Sequence, residues 1–327
     1  MSIDWQPLKE IIARHESFLL TSHCRADCDA IGSELALAQI LESLGKEVHV
    51  VNGDAVPEHI RFIDPQNRVR ELGRDAQAAD LAEIDCLIVV DTSAWSQLGP
   101  MADVVREFPG TCVVIDHHES QDDLEAEEFK DSRAEATGRL ILELSESLGV
   151  PLTTELALPL FRAIATDTGW FRFASVTEAT FLALAKLVAA GVSPPAVFSQ
   201  LFEQHGLARI YLRGRILCHI VSDCGGRLMS THATQTDFKE SGASTTDTED
   251  VINTLLTVAG SEVAVLFVEL EDKKTKVSLR SRTDFDVCAI AAQFGGGGHR
   301  AAAGVTVDGP LESTSPAVLD ALRTALG

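Results

Sequence analysis

Residues 86–91 read Cys-Leu-Ile-Val-Val-Asp, and residues 112–118 read Cys-Val-Val-Ile-Asp-His-His. Short runs rich in Val and Ile, without alternating polar residues, are typical of strands buried on both faces of a parallel sheet. Two similar runs precede them, at residues 18–22 and 48–51. Residues 31–44 carry apolar side chains at helical spacing and end before Gly45, which predicts a strand–helix–strand unit. The N-terminal region is therefore predicted to be an α/β domain on a mostly parallel sheet.

Polar side chains follow each predicted strand. In open α/β sheets, ligands bind beyond the carboxyl ends of the strands, so we expect these side chains to converge on one crevice. They are His23, Asn52 with Asp54, Asp91 with Thr92, and the Asp116, His117, His118 triplet. A lone Asp after a strand is often only a helix cap, whereas two adjacent imidazoles after an Asp are costly to place without a role.

The loop after the first strand, residues 23–29, reads His-Cys-Arg-Ala-Asp-Cys-Asp. Its mixed nitrogen and oxygen donors suit a divalent metal such as Mn²⁺. The alternative is an ordinary turn in which Asp29 caps the next helix. Asp167 favours the metal, because a carboxylate at the end of an apolar helix is costly unless paired or metal-bound. Two ions sharing one carboxylate would be bound by His23, Asp27, Asp29, Asp91, His117 and Asp167.

A break at residues 191–195, Gly-Val-Ser-Pro-Pro, predicts the end of the first domain. We assign residues 1–190 to that domain, residues 191–212 to a linker with a connecting helix over 196–212, and residues 213–327 to a smaller α/β domain. Strands are expected there near residues 228–233, 263–270 and 276–282, with a helix near 250–258. The polar segments 122–128 and 239–250 are expected to be surface loops, the second ending in a helix N-cap.

Two segments of the second domain favour anion recognition. Residues 278–282 carry two arginines, and residues 295–304 read Gly-Gly-Gly-Gly-His-Arg-Ala-Ala-Ala-Gly. Consecutive glycines let backbone N–H groups approach a phosphate, and an arginine binds phosphate with two hydrogen bonds. A flexible linker is the alternative. The candidate substrate-binding residues are Arg280, Ser281, Gly296, Gly297, Gly298 and His299.

Composition narrows the classes of partner. The 327 residues suit roughly two domains, and 49 acidic against 27 basic residues give a formal net charge of −22. Such a surface disfavours duplex DNA, whose non-specific binding depends on basic side chains. No apolar run approaches the roughly 20 residues that cross a bilayer, and the N-terminus lacks a secretory pattern, so we expect a cytoplasmic protein without a membrane partner. Seven cysteines without a Cys-x-x-Cys pair indicate reduced thiols.

These motifs resemble the DHH phosphoesterase superfamily, named for the Asp-His-His found here at 116–118. His23-x-x-x-Asp27-x-Asp29-Ala-Ile-Gly-Ser, Asp91 and Asp167-Thr-Gly resemble its other N-terminal motifs. Arg280-Ser-Arg and Gly-Gly-Gly-His299 resemble its DHH-associated C-terminal domain, and the length resembles the nano-RNase/pAp phosphatase group. Ala26 and Cys28 stand where Pro and Gly are common, which leaves the loop conformation and the redox sensitivity of Cys28 open.

The resemblance implies a Mn²⁺-dependent phosphoesterase with its active-site cleft between the two domains. One ion would be held by His23, Asp27 and Asp91, and the other by Asp29, Asp91, His117 and Asp167. Asp116 would orient its neighbours, and His118 would stabilise the phosphate charge or assist the leaving oxygen. Arg280, His299 and the N–H groups of residues 296–298 would bind another phosphate or the base.

The resemblance also implies the substrates. They would be short single-stranded oligoribonucleotides or small phosphorylated nucleotides such as 3′-phosphoadenosine 5′-phosphate (pAp). The alternatives are a cyclic or linear dinucleotide phosphodiesterase and a catalytically silent nucleotide-binding regulator. A homodimer is compatible with each of these functions.

Overall fold

The computed structural model describes residues 3–81, 83–119, 122–248 and 250–327. The chain divides into two compact units, Met1–Glu203 and Gln204–Gly327. The boundary between them falls inside the segment 191–212 that the sequence assigns to a linker. Each unit contains its own sheet and its own apolar core, so both belong to the predicted α/β class.

The first unit is built on a six-stranded parallel sheet with the strand order β3-β2-β1-β4-β5-β6. Its strands are β1 (Ser17–Thr21), β2 (Glu47–Asn52), β3 (Val69–Glu71), β4 (Cys86–Val90), β5 (Thr111–Asp116) and β6 (Glu127–Lys130). The four predicted strands are confirmed. The sequence pattern does not predict β3 and β6, the two edge strands, because they are short and charged. β6 begins inside residues 122–128, so the prediction of a loop there is wrong at its end.

Helices cover both faces of this sheet. They are α1 (Gln6–Arg14), α2 (Cys28–Ser43), α3 (Trp95–Leu98), α4 (Met101–Glu107), α5 (Thr137–Leu148), α6 (Thr154–Asp167), α7 (Glu178–Ala189) and α8 (Pro194–Phe202). Phe18 and Leu20 of β1 pack into one core with α2 and α6, whereas Leu19 packs into the other core with α4. This alternation is the one expected of a strand buried on both faces.

The second unit contains a six-stranded mixed sheet with the order β11-β12-β10-β9-β8-β7, in which only the pairing of β8 with β9 is parallel among those described. Its strands are β7 (Val221–Asp223), β8 (Leu228–Ala233), β9 (Val263–Glu269), β10 (Thr275–Ser281), β11 (Gly297–His299) and β12 (Ala302–Val307). Its helices are α9 (Leu207–Cys218), α10 (Gln235–Ser241), α11 (Val251–Leu255), α12 (Val287–Ala292) and α13 (Leu311–Leu326). The three predicted strands are confirmed to within two residues.

Three predictions around the second unit need correction. The single connecting helix over 196–212 is in fact two helices, α8 and α9, because Gly206 adopts an extended backbone and begins a new helix. Residues 239–250 include the end of α10 and a 3₁₀ turn, Thr245–Thr248, rather than a loop alone. Asp250 precedes α11 without a capping hydrogen bond from its side chain. Periodicity carries no signal for such short breaks.

No single helix in the described parts of the chain is long and apolar enough to span a membrane. Helices α7 and α8 meet that length and composition only as a pair, which is bent by 103°.

Helices α2 and α6 pack closely against each other. A Cβ atom on Gly32 would lie 2.6 Å from the Pro159 carbonyl oxygen and 3.2 Å from the Ala163 Cβ atom. The two helix backbones therefore approach more closely than any larger residue at position 32 allows. This contact sets Asp29, on the first turn of α2, against the helix that ends at Asp167.

We expect Gly32→Ala to lower the free energy of unfolding of the first unit by about 1 to 3 kcal/mol, because the added methyl group overpacks the interface between α2 and α6. Urea unfolding monitored by circular dichroism measures the change. Gly214→Ala in α9 is the control, since a Cβ there meets nothing within 4 Å and a helix-interior Gly→Ala change stabilises by about 0.5 to 1 kcal/mol. Equal stability of wild type and Gly32→Ala would contradict the close approach.

Candidate metal centre and active site

Three of the six predicted metal ligands lie just beyond the carboxyl ends of three adjacent strands. His23 follows β1, Asp91 follows β4, and the His117–His118 pair follows β5. These strands are neighbours in the order β1-β4-β5, so their ends meet at one edge of the sheet. Asp91 adopts a left-handed backbone with φ of 63°, and its N–H donates to the Ile115 carbonyl oxygen at 3.0 Å. Such a conformation is uncommon outside glycine and tends to occur at functional sites.

His117 lies among three carboxylates. Its Nε2 atom is 3.8 Å from Asp29 Oδ2, 3.6 Å from Asp91 Oδ1 and 3.5 Å from Asp167 Oδ2. On the other side of Asp91, His23 Nε2 lies 3.5 Å from Oδ2. The two oxygens of Asp91 thus face two different imidazoles.

The donor atoms form three groups within which all atoms lie less than 4.8 Å apart. One group contains His23, Asp27 and Asp91, and a second contains Asp29, His117 and Asp167. The structure therefore brings all six predicted ligands together as two adjacent sets. The third group adds His118 to Asp91 and His117, so a residue outside the predicted ligand set is also within reach.

Asp27, not Asp29, is the N-cap of α2, which corrects the capping alternative. Asp27 Oδ1 accepts hydrogen bonds from the Asp29 N–H at 2.9 Å and the Ala30 N–H at 3.1 Å. Asp29 is buried on the first turn of α2. It does not cap the helix, and its side chain faces the other carboxylates. Cys28, between them, is buried, and burial raises the pKa of its thiol to about 12.

The first turn of α5 holds two of the carboxylates. Asp29 accepts the Thr137 N–H at 2.7 Å and the Gly138 N–H at 2.8 Å, and Asp91 Oδ1 accepts the Thr137 hydroxyl at 2.9 Å. Free N–H groups at a helix N-terminus favour anions. The sequence motifs do not include Thr137 and Gly138, although a Thr-Gly pair at the start of an apolar periodic segment is a signal that could have found them.

Burial makes this arrangement of carboxylates unfavourable without a cation. It raises the pKa of Asp29, with Asp27 adding to the shift and His117 opposing it. The pKa of Asp91 is raised well above its ordinary value by burial and then by Asp29 and Asp27. Burial and the same two neighbours raise the pKa of Asp167 to about 7. Carboxylate and imidazole donors in one place, with unfavourable mutual repulsion, fit divalent cations.

The His118 ring is held in place by a hydrogen bond to the Asp116 carboxylate. Asp116 Oδ1 accepts from His118 Nδ1 at 2.8 Å, and Oδ2 accepts the Ser93 hydroxyl at 2.8 Å and lies 3.2 Å from Lys130 Nζ. Burial opposes ionisation of Asp116, but these hydrogen bonds lower its pKa to about 2. The hydrogen bond to Asp116 raises the pKa of His118. No sequence motif indicates Ser93 and Lys130, which lie beside the site only through β4 and β6.

A cavity of about 210 Å³ opens on this centre. His118, with about half of its side chain exposed, shares the cavity wall with the first set of ligands. The wall includes His23, Asp27, Asp91, Thr92, Ser93 and His118. Thr92 thus lies where the sequence pattern places it. Asn52 and Asp54 instead bind the β1 end and the following loop, since Asn52 Oδ1 accepts the Ser22 N–H and Asp54 Oδ2 accepts the Arg25 N–H.

In the second unit, the candidate anion-binding residues Arg280 and His299 lie on the outer two of three adjacent strands. Arg280 of β10 pairs with Ala302 of β12, which in turn pairs with His299 of β11. Directly opposite residues project from the same face of a sheet, so Arg280 and His299 share one face. Ser281 uses its hydroxyl in its own turn, donating to the Thr283 carbonyl oxygen at 3.0 Å.

The second half of the glycine run belongs to strand β11, Gly297–His299, rather than to an open loop. Gly297 pairs with Gly304, and Gly298 pairs with Ala303. A Cβ atom on Gly296 would lie 2.4 Å from the Gly304 carbonyl oxygen, and one on Gly298 would lie 2.5 Å from the Ala302 carbonyl oxygen. These glycines therefore have a packing role against β12, whether or not they bind a ligand, and the linker alternative is wrong.

Both units match known protein families. Residues 17–164 match the model of the DHH family, N-terminal domain, and residues 228–327 match the DHHA1 domain. The chain is 31% identical to the bifunctional oligoribonuclease and PAP phosphatase NrnA of Thermus thermophilus, over 94% of this chain and 89% of that protein. This chain belongs to the DHH family. Its NrnA relatives are hydrolases, and this DHH-family protein belongs to the same class of enzyme.

Other relatives agree with the DHH assignment. NrnA of Bacillus subtilis is 26% identical, with 90% of this chain and 91% of that protein covered. A crystal structure of an exopolyphosphatase-related protein from Bacteroides fragilis has a TM-score of 0.85 at 24% identity, covering 98% of this chain and 94% of that one. Exonuclease RecJ bound to manganese has a TM-score of 0.54 at 14% identity, covering 100% and 95%. The two solved structures show that the fold is shared.

We expect Asp91→Asn to raise the melting temperature of the metal-free protein, because it removes one of several buried carboxylates that repel each other. Asn tolerates the left-handed backbone at this position. A divalent ion at about one hundred times its dissociation constant stabilises a protein by about 2.7 kcal/mol, and the variant should lose most of that gain. Thermal melts with and without Mn²⁺ measure both effects. Asp103→Asn, at an exposed carboxylate, is the control, and an undiminished Mn²⁺ effect in Asp91→Asn would contradict the assignment.

The raised pKa of Asp167 predicts a pH dependence. A carboxyl whose pKa is about 7 in the folded protein and about 3.9 when unfolded binds more protons in the folded state between these values. Stability contributed by Asp167 in the metal-free protein therefore falls as the pH rises through this window. Asp167→Asn should be more stable than wild type near pH 7.5, and this advantage should vanish near pH 4. Melts over that range test it, and a pH-independent difference would contradict it.

Proposed function

We propose that this chain is a divalent-metal-dependent phosphoesterase that hydrolyses short oligoribonucleotides and pAp. The observation that carries the proposal is the convergence of six ligand-type residues in two adjacent sets, in a chain that is 31% identical over nearly its whole length to an oligoribonuclease and PAP phosphatase. Completeness of the site argues against the alternative of a catalytically silent regulator.

Two ions fit the donors. His23, Asp27 and Asp91 would hold one, while Asp29, His117 and Asp167 would hold the other together with Asp91. The two imidazoles that face opposite oxygens of Asp91 support its sharing between the ions. The mainly carboxylate donor set supports Mn²⁺, as does the manganese bound in the RecJ structure. When bound, such ions offset the charge of a phosphoester and lower the pKa of water.

His118 is the residue of this chain best placed to move a proton. Asp116 accepts a hydrogen bond from Nδ1, which fixes the ring and leaves Nε2 for the substrate. Because the same contact raises the pKa of His118, the imidazole carries a proton at neutral pH more readily than a free histidine. His118 would donate that proton from Nε2 to the leaving oxygen, with Asp116 stabilising the charged ring beforehand.

Short, anionic substrates suit the remaining charges. Arg280 and His299 lie on one face of the second sheet and would bind a terminal phosphate or a base. With a net charge of −22, the rest of the protein offers little attraction to a long strand or to duplex DNA. With few basic residues to bind phosphate and an acidic surface elsewhere, the protein should prefer the shortest single strands.

A second candidate is the hydrolysis of cyclic dinucleotides. The cyclic-di-AMP phosphodiesterase GdpP of Geobacillus thermodenitrificans is 27% identical to this chain. The match covers 89% of this chain and 45% of GdpP. The same metals would serve both reactions, so relative rates on pAp, a linear dinucleotide and cyclic di-AMP distinguish them.

We expect Mn²⁺-dependent hydrolysis of pAp and of an RNA dinucleotide, with slower hydrolysis of a long RNA strand and no activity in EDTA. His118→Ala should lower kcat by about 10²- to 10⁴-fold while Mn²⁺ binding is retained, because general acid catalysis contributes that much. Phosphate and nucleotide release, separated by chromatography, measure the rates.

The matched control for this experiment is His49→Ala, a histidine on β2 that contacts Glu47 and Arg70 rather than the metal centre. It should keep the wild-type rate. A clear preference of the wild type for cyclic di-AMP would favour the second candidate. Inactivity on all substrates with Mn²⁺ bound would contradict both.

A further inference from the structure

Glu34 is a buried carboxyl group that the proposed mechanism does not use. It lies on α2 and has no exposed surface. Its Oε2 atom accepts a hydrogen bond from Asn52 Nδ2 at 3.1 Å. Burial is the main cause that raises the pKa of Glu34 to about 8. Hydrogen bonding by Ser22 and Asn52 partly opposes this shift, and the Asp64 carboxylate adds a smaller increase. The neutral, protonated acid is therefore the main form at pH 7.

The Asn52 side chain connects Glu34 to the end of β1. Its Oδ1 atom accepts the Ser22 N–H at 3.1 Å and the Thr21 hydroxyl at 3.3 Å. Asn52 is 1% exposed, so water cannot replace these partners. If the amide turned over, its NH₂ group would face the Ser22 N–H, donor against donor. The Ser22 N–H thus fixes which way the amide faces, and Glu34 Oε2 accepts the NH₂ group that this orientation presents.

Two buried atoms beside this chain of contacts lack partners. Within the described residues, Glu34 Oε1 and Ser22 Oγ make no hydrogen bond. Their side chains are neighbours, because the Ser22 hydroxyl is one of the groups that lower the pKa of Glu34. Unpartnered buried polar atoms are costly. The Ser22 hydroxyl is able to accept a proton carried by Glu34 Oε1 or to donate its own proton to that oxygen, so the two atoms are able to satisfy each other.

The end of β1 is the point from which His23 projects. Ser22 directly precedes His23, whose Nε2 atom lies 3.5 Å from Asp91 Oδ2. His23 Nδ1 lies 3.0 Å from the Cys24 carbonyl oxygen, so local backbone position sets the direction of the ring. A shift of the Ser22 backbone therefore displaces the imidazole from Asp91.

We propose that Glu34, as a neutral acid, is a positioning residue, which acts through Asn52 and the β1 end to hold His23 in place for a divalent cation. The proposal rests on the proposed function only in taking His23 as a metal ligand. Glu34 itself would contact neither the substrate nor the metal. Its effect on metal affinity passes through the hydrogen bonds that Asn52 accepts from the Ser22 N–H and the Thr21 hydroxyl.

Two variants at position 34 test the proposal. In Glu34→Gln, the amide oxygen still accepts from Asn52 and the amide NH₂ still donates toward Ser22, as the protonated acid does. Glu34→Leu keeps a similar volume but removes both contacts. Amide hydrogen exchange at Ser22 and His23 in the metal-free protein and Mn²⁺ binding by calorimetry are the two measurements. Neither needs a substrate.

We expect Glu34→Gln to match the wild type in both measurements. Glu34→Leu should exchange faster at Ser22 and bind one of the two Mn²⁺ ions about 10- to 100-fold more weakly, the range for loss of a group that orients a metal ligand. Asn52→Ala should behave like Glu34→Leu, and supplies the test if the leucine variant does not fold. Ile40→Ala, a fully buried position of α2 outside these contacts, should lower the melting temperature without changing Mn²⁺ affinity.

Each opposite result overturns the proposal. Wild-type exchange and Mn²⁺ binding in Glu34→Leu would remove the positioning role, and an equal loss of Mn²⁺ affinity in Ile40→Ala would reduce the effect to general destabilisation. A Glu34→Gln variant as impaired as Glu34→Leu would show that the charged form is required. Failure of the wild type to hydrolyse any substrate while it binds Mn²⁺ would instead overturn the proposed function and leave these measurements valid.

Discussion

Repulsion among closely grouped carboxylates is the constraint on which the rest of the first unit depends. Three of them, from Asp29, Asp91 and Asp167, lie 3.5 to 3.8 Å from a single imidazole nitrogen of His117. Gathering these charges out of water is unfavourable. The surrounding fold supplies N–H donors from the first turn of α5 and a left-handed backbone at Asp91. A tightly packed sheet and helix pair keeps the site together, and divalent cations would remove the remaining repulsion.

The sequence predicts the position of this site because parallel sheets follow a strong rule. Strands buried on both faces are visible as apolar runs, and the side chains after them must meet at one edge. The strand pattern alone predicts His23, Asp91 and His117 in this way. Asp167 is predicted because a carboxylate on an apolar helix needs a partner. The edge strands β3 and β6 escape prediction, since their few charged residues resemble loops.

Other features depend on contacts that a linear sequence does not display. Asp27 caps α2 while Asp29 turns inward, and either order fits the same spacing. Thr137 and Gly138 donate hydrogen bonds to Asp29, although they lie more than one hundred residues from it in the sequence. The glycine run before His299 suits a phosphate loop and a tightly paired strand equally well, and only the register with β12 identifies the strand. Asn52 has a polar side chain at a strand end, yet it contacts Glu34 and the end of β1 rather than the metal centre.

We expect the two adjacent sets of donors to form one two-ion centre. Anomalous diffraction from crystals soaked in Mn²⁺ locates the ions. Two peaks should appear about 3.5 to 4 Å apart, one beside His23 and Asp27, the other beside Asp29 and Asp167, with Asp91 between them. A single peak, or peaks that leave Asp91 without an ion, would contradict this expectation.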